Sequence, residues 1–226
     1  MGTIIFYCFI FLKSFILLGD STEAASKYFD FKGWKLQIPG PLDVKDLNNY
    51  TNSHFYLTSD TTLCFNLNAA EQGHTENTHY VRSELRHELN WATNTKHEIC
   101  ARVKVTTNLT DYQVTVVQIH GITVDNENAP PLLRVAMYNG DLYAYLKSDA
   151  TGQKTDKTLL LNGVNEKFFD VSVKMENWIL KIKVNGRECL RKPLYYWTFN
   201  NYFKLGCYPQ IVEGLFKIYF KSFSVY

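Results

Sequence analysis

Leu132-Leu133-Arg134-Val135-Ala136-Met137-Tyr138-Asn139-Gly140-Asp141-Leu142-Tyr143-Ala144-Tyr145-Leu146 is the stretch whose reading decides the fold. Two apolar runs rich in strand formers flank a single Asn-Gly pair. A tight hairpin turn needs positive φ at both of its central residues, and Asn and Gly supply it at least cost. Two more Asn-Gly pairs, Asn162-Gly163 and Asn185-Gly186, predict further hairpins. Farther out, Ile99, Ala101, Val103 and Val105 alternate with Glu98, Cys100, Arg102 and Lys104, and Phe169, Val171 and Val173 alternate with polar neighbours. Period two is the signature of a half-buried strand. No long amphipathic helix competes with it, and a short one is expected only within residues 42–50. Residues 68–78 and 121–131, rich in Asn, Glu and Gly or Pro, read as long loops. Many short strands with frequent turns predict an all-β, antiparallel sandwich or barrel.

Composition agrees. The 226 residues are 46% apolar and include 15 Phe, 15 Tyr and 4 Trp, which excludes disorder and provides for a sizeable core. A formal charge of +2 is too small to indicate a nucleic-acid partner. Residues 4–18 form an apolar run followed by small and polar residues, the shape of a secretory signal peptide and too short for a membrane span. The expected organisation is a signal over residues 1–26 and one domain over 27–226, secreted, monomeric and without a membrane contact after cleavage. Cleavage removes Cys8 and leaves Cys64, Cys100, Cys189 and Cys207, an even set for which two disulfides are expected in an oxidising compartment. Three pairings are open, and Cys189 with Cys207 is one of them. His74, His79 and His87 match no zinc spacing, and no metal or cofactor is called for.

Three stretches break the usual strand pattern. They are Tyr80-Val81-Arg82-Ser83-Glu84-Leu85-Arg86, Val114 to His120 ending in Gln118-Ile119-His120, and Tyr202-Phe203-Lys204-Leu205-Gly206-Cys207-Tyr208-Pro209-Gln210. Alternate side chains of a strand share a face. Tyr80, Arg82, Glu84 and Arg86 therefore stand together, as do Gln118 and His120, and as do Tyr202, Lys204, Tyr208 and Gln210. Leu85, Val117, Ile119, Phe203 and Leu205 point the other way, into a core. If the three strands share a sheet, its outer face is cationic and carries two titratable groups, His120 and Tyr208. Arg82 and Arg86 offer forked donors that match carboxylates. Glu84, between two arginines, reads as their holder rather than as an acid.

These three stretches, in this order and spacing, resemble the signature motifs of the alginate lyases of polysaccharide lyase family seven. Phe31-Lys32-Gly33-Trp34-Lys35-Leu36-Gln37-Ile38-Pro39 resembles that family's opening strand. The resemblance implies a β-jelly roll whose concave sheet is a substrate cleft for an anionic polysaccharide, alginate or a related uronan. It also implies metal-independent β-elimination. Arg82, Gln118 and His120 would neutralise the uronate carboxylate and Tyr208 would protonate the leaving oxygen. Tyr208 would also take the C5 proton in a syn elimination, and His120 in an anti one. Arg86, Glu84, Lys204, Tyr80, Tyr202 and Gln210 would line the substrate. The alternative is a non-catalytic, lectin-like module on the same scaffold, since a fold does not fix a function. A glycoside hydrolase would need two facing carboxylates, and Glu84 is the one carboxylate within the motifs.

Overall fold

The computed structural model describes residues 23–40, 43–74, 78–123, 125 and 127–226, so most of the expected signal segment lies outside the described residues. The strands in chain order are β1 (Trp34–Gln37), β2 (Asp43–Val44), β3 (Phe55–Leu57), β4 (Leu63–Asn68), β5 (Ser83–His87), β6 (His97–Thr107), β7 (Gln113–Ile122) and β8 (Asn128–Tyr138). They continue as β9 (Asp141–Lys147), β10 (Thr155–Leu161), β11 (Phe169–Glu176), β12 (Ile179–Val184), β13 (Arg187–Pro193), β14 (Asn200–Pro209) and β15 (Leu215–Val225). All pair antiparallel in two sheets. One has the order β10-β9-β8-β7-β14-β5-β1-β2, the other β13-β12-β11-β6-β15-β4-β3.

The alternation explains the layering. Leu85, Val117, Ile119, Phe203 and Leu205 of the eight-stranded sheet and Val103, Val105, Phe169, Val171 and Val173 of the seven-stranded sheet are buried in one continuous core. Burying side chains of this size contributes about 1.5–3 kcal/mol each, which holds the two sheets face to face. The result is the expected jelly-roll β-sandwich of antiparallel sheets.

Several local expectations change. Asn139-Gly140 and Asn185-Gly186 do turn the β8–β9 and β12–β13 hairpins, with positive φ at both residues of each pair. Asn162-Gly163 instead lies on a crossover, because β10 and β11 belong to different sheets. Residues 43–50 form no helix; Asp43 and Val44 pair with Gln37 and Leu36, and Asp43 binds the side chains of Lys35 and Gln37 across that pairing. The loop expected over 121–131 shrinks, since β7 runs to Ile122 and β8 begins at Asn128. Register shifts around His120 let a strand containing Pro130 and Pro131, which lack an N–H, stay in the sheet. Residues 68–74 and 78 of the other expected loop are without strand beyond Asn68, and 75–77 lie outside the described residues.

The expected disulfides are not formed: no S–S bond joins Cys64, Cys100, Cys189 or Cys207. The topology keeps Cys189 and Cys207 apart. Cys207 is buried in a central strand of one sheet, whereas Cys189 sits on β13, the edge of the other.

Candidate active site

The three unusual strands are neighbours at the centre of the eight-stranded sheet, in the order β7-β14-β5. Register sets Tyr202 opposite His120, and Lys204 opposite both Gln118 and Arg86. β14 carries an extra residue relative to β7 between Leu205 and Tyr208, a bulge that brings Tyr208 opposite Thr115. Gly206 lies in this bulge at φ +144°, and a Cβ there would stand 2.5 Å from the Ser83 carbonyl oxygen and 2.7 Å from Glu84 Cα. Only glycine lets β14 approach β5 so closely.

Below the surface is a charged floor. Glu84 is fully buried; its carboxylate accepts a hydrogen bond from Gln118 Nε2, faces Lys204 Nζ at 2.5 Å and lies 3.9 Å from Arg82 Nη1. Glu84 thus grips Gln118 and Lys204 more closely than the arginines expected from the sequence. Arg86 turns elsewhere: its guanidinium donates to Asn90 Oδ1 (3.2 Å) and the His87 carbonyl (3.3 Å) and lies 4.1 Å from the Tyr202 ring centre. Burial outweighs the attraction of Glu84 and brings the Lys204 pKa down to about 8.

Above this floor the groups with proton chemistry, His120 and Tyr208, are partly exposed. Tyr202 stacks on His120 with ring centres 5.1 Å apart and planes 18° apart, and Arg86 covers its other side, which leaves Tyr202 itself buried. His120 Nδ1 is 2.9 Å from the Gly121 carbonyl oxygen. A carbonyl only accepts, so Nδ1 carries the proton and Nε2 keeps the lone pair. Burial, reinforced by the charge on Lys204, pushes the His120 pKa down to about 4. The imidazole is therefore neutral at pH 7. Tyr208 shares a hydrogen bond of 2.9 Å with Thr78 Oγ1, lies under the Arg82 guanidinium at 4.5 Å from ring centre to Cζ, and meets Tyr80 edge to face. Gln210 donates to the Tyr208 carbonyl and accepts from Thr115 Oγ1, locking the end of the bulge.

The structure brings all ten sequence-derived residues together, at two depths. Arg82, Arg86, His120, Tyr80, Tyr208 and Gln210 are partly exposed, whereas Glu84, Gln118, Tyr202 and Lys204 are buried beneath them. Sequence reading missed Arg134, Tyr145 and Thr78. Arg134 pairs with Gln118, and with Tyr145 it borders a hollow of ≈ 410 Å³ that also contains Tyr80, Tyr208 and Gln210. The parity rule could have found Arg134, which alternates with Leu133 and Val135. Thr78 lies in a loop and has no periodic signal.

A cationic sheet face with a hollow beside it, presenting a neutral histidine and a tyrosine beside arginine, lysine and amide donors, is suited to an anionic sugar polymer. A sequence model of the alginate lyase family matches residues 29–225, and the chain belongs to that family. It is a polysaccharide lyase, and its activity is β-elimination on alginate. Among solved structures, alginate lyase A1-II′, a member of polysaccharide lyase family seven, is 25% identical with a TM-score of 0.84, over 90% of this chain and 98% of that one. Alginate lyase PA1167 from Pseudomonas aeruginosa is 22% identical with a TM-score of 0.78, over 87% of this chain and 99% of that one. Alginate lyase AlyC3, solved in complex with dimannuronate, shares the fold at 20% identity and a TM-score of 0.73, over 87% of this chain and 90% of that one. Comparison with curated proteins gives no match.

Proposed function

We propose that the β5–β14–β7 face is the catalytic cleft of a secreted lyase and that Tyr208, His120, Arg82 and Gln118 perform the elimination. The C5 hydrogen of a uronate is a poor acid because the adjacent carboxylate is already negative. Arg82 supplies fixed donors for the charge that grows on that carboxylate in the transition state, and the Gln118 amide, with one N–H held by Glu84, offers its other N–H from beneath. A base then removes the C5 proton, its electrons form the C4–C5 double bond, and the C4–O bond breaks. Tyr208 gives its proton to the departing oxygen. When hydrogen and oxygen leave from one face, Tyr208 takes up the C5 proton as its own proton passes to the departing oxygen, so it ends protonated as it began. From opposite faces, His120 Nε2 receives the C5 proton.

Glu84, Lys204 and Tyr202 act from beneath. Glu84 orients Gln118 and holds Lys204, while Tyr202 fixes the plane of His120. Arg86, Tyr80 and Gln210 line the path of the chain. The observation that carries this reading is the pairing of a proton-free His120 Nε2 with a Tyr208 hydroxyl on adjacent strands of one face. The similar lyase A1-II′ was crystallised with a GGMG substrate as a variant with one histidine changed to asparagine and one tyrosine to phenylalanine, which supports a His/Tyr pair. The apolar run at residues 4–18 supports secretion.

The test is Tyr208→Phe, followed by ultraviolet absorbance of the new double bond on alginate, polymannuronate, polyguluronate and glucuronan. Loss of a general acid costs about 10²–10⁴-fold in turnover. Alginate binding, measured by calorimetry, stays intact because the ring under Arg82 remains. Normal turnover by the variant would remove Tyr208 from the reaction, and binding without any product from the wild type would leave a lectin-like module.

A further inference from the structure

The two arms of the cleft are built differently. On the arm formed by β8, β9 and β10, Lys157 stands over three tyrosines, with Nζ at 4.0 Å from the ring centre of Tyr138, 4.1 Å from Tyr143 and 5.5 Å from Tyr145. Tyr138 and Tyr143 meet edge to face at 6.2 Å, and Arg134 lies 5.2 Å from the Tyr145 ring centre. Lys157 makes no ion pair among the described residues. On the opposite arm, the cation and amide of β1 are already engaged. Lys35 pairs with the Asp43 carboxylate, and Gln37 Nε2 donates to the same carboxylate at 3.1 Å.

Register joins the first arm to the catalytic floor. Lys157 pairs with Tyr145, Tyr145 with Arg134, Arg134 with Gln118, Gln118 with Lys204 and Lys204 with Arg86. This is one row across six adjacent strands. Tyr145 also borders the hollow that holds Tyr208, so the row continues the cleft. Three strand spacings separate Lys157 from Gln118, about 14 Å. A uronate ring advances by about one such spacing.

We propose that Lys157, held over Tyr138, Tyr143 and Tyr145, is a distal subsite that binds the carboxylate of an anionic sugar about three rings from the scissile bond, so that the β8–β10 arm holds the polymer and the β1–β2 arm does not. The proposal rests on the lyase reading of the same cleft. The chemistry is complementary: tyrosine faces accept a sugar ring, and the ammonium above them meets its carboxylate. A lysine already confined by three rings loses less freedom when it binds.

The experiment compares wild type, Lys157→Met and Lys157→Arg on alginate oligomers of defined length, from trimer to octamer, and on the polymer. Lys157→Met should raise KM about threefold to fivefold on long substrates, up to about 1 kcal/mol, with kcat unchanged and the shortest oligomers unaffected. Lys157→Arg should restore KM, and added salt should shrink the difference. An unchanged KM on the polymer, or an equal rise at every length, overturns the subsite. If the wild type yields no unsaturated product, the lyase reading fails separately. Calorimetric titration with the same oligomers then decides the subsite: selective weakening of long oligomers by Lys157→Met retains it, and equal binding by both proteins overturns it.

Discussion

Glu84→Gln removes one charge from the floor of the cleft while barely changing its volume. Glu84 is fully buried, with Lys204 Nζ at 2.5 Å and Arg82 Nη1 at 3.9 Å. Without the anion, Lys204 loses the attraction that opposes its desolvation, and its pKa falls further below about 8. The cost is bounded because the lysine can shed its proton. A Lys204 pKa of about 8 against an ordinary 10.5 already costs roughly 3 kcal/mol at pH 7, at about 1.4 kcal/mol per unit. A wholly neutral lysine would cost roughly 5 kcal/mol on the same scale. The charge on Lys204 can therefore add no more than about 2 kcal/mol, and weakening the bond from Gln118 adds about 1 kcal/mol. The expected loss is about 1–3 kcal/mol in urea unfolding at pH 7. Lys204→Met should be worse, about 3–5 kcal/mol, since it leaves the fully buried Glu84 carboxylate without its close cation and with Arg82 Nη1 no nearer than 3.9 Å. The double variant Glu84→Gln/Lys204→Met should fall short of the summed losses by more than about 1 kcal/mol. Additive losses would show that the two charges are not coupled and would refute this account of the floor.

Other outcomes follow from the same geometry. Because the folded pKa of His120, about 4, lies below its ordinary 6.5, the unfolded chain binds more protons between those values. The stability held by the neutral imidazole is complete above 6.5 and is lost by up to about 3 kcal/mol as the pH falls through 4; unfolding midpoints across this window should show it, and His120→Asn should flatten the slope. For Lys204 the unfolded chain binds the extra proton between about 8 and 10.5, so discharging the lysine raises stability over that window while kcat/KM falls, a divergence that parallel pH series would detect. Gly206→Ala should cost about 3 kcal/mol and uncouple β5 from β14, read as a lowered Tm with lost turnover. An unchanged Tm there would mean the close approach of the two strands is not required.

Strand alternation and turn chemistry are local properties, and they were legible. Period two placed Leu85, Ile119 and Phe203 in the core and Arg82, His120 and Tyr208 opposite them, because a strand has two faces whatever its neighbours. Asn139-Gly140 was legible for the same reason. Asn162-Gly163 was not, since the dipeptide encodes a bend and says nothing about which sheet receives the next strand. The expected helix within 42–50 failed because the pairing with β1, far stronger than any propensity of so short a segment, claims Asp43 and Val44.

The sequence by itself determined which residues share a face, and through the motif resemblance it determined the family. Only the tertiary structure decided that β7, β14 and β5 are adjacent, that Glu84 spends its charge on Lys204 and Gln118, and that Cys189 and Cys207 lie on different sheets. Depth was also beyond the sequence. Tyr202 and Tyr208 have the same residue type and parity, yet one is buried between His120 and Arg86 and the other opens to the cleft. Parity is set by the backbone of one strand, whereas burial and pKa depend on what neighbouring strands bring alongside, and that pairing is long-range.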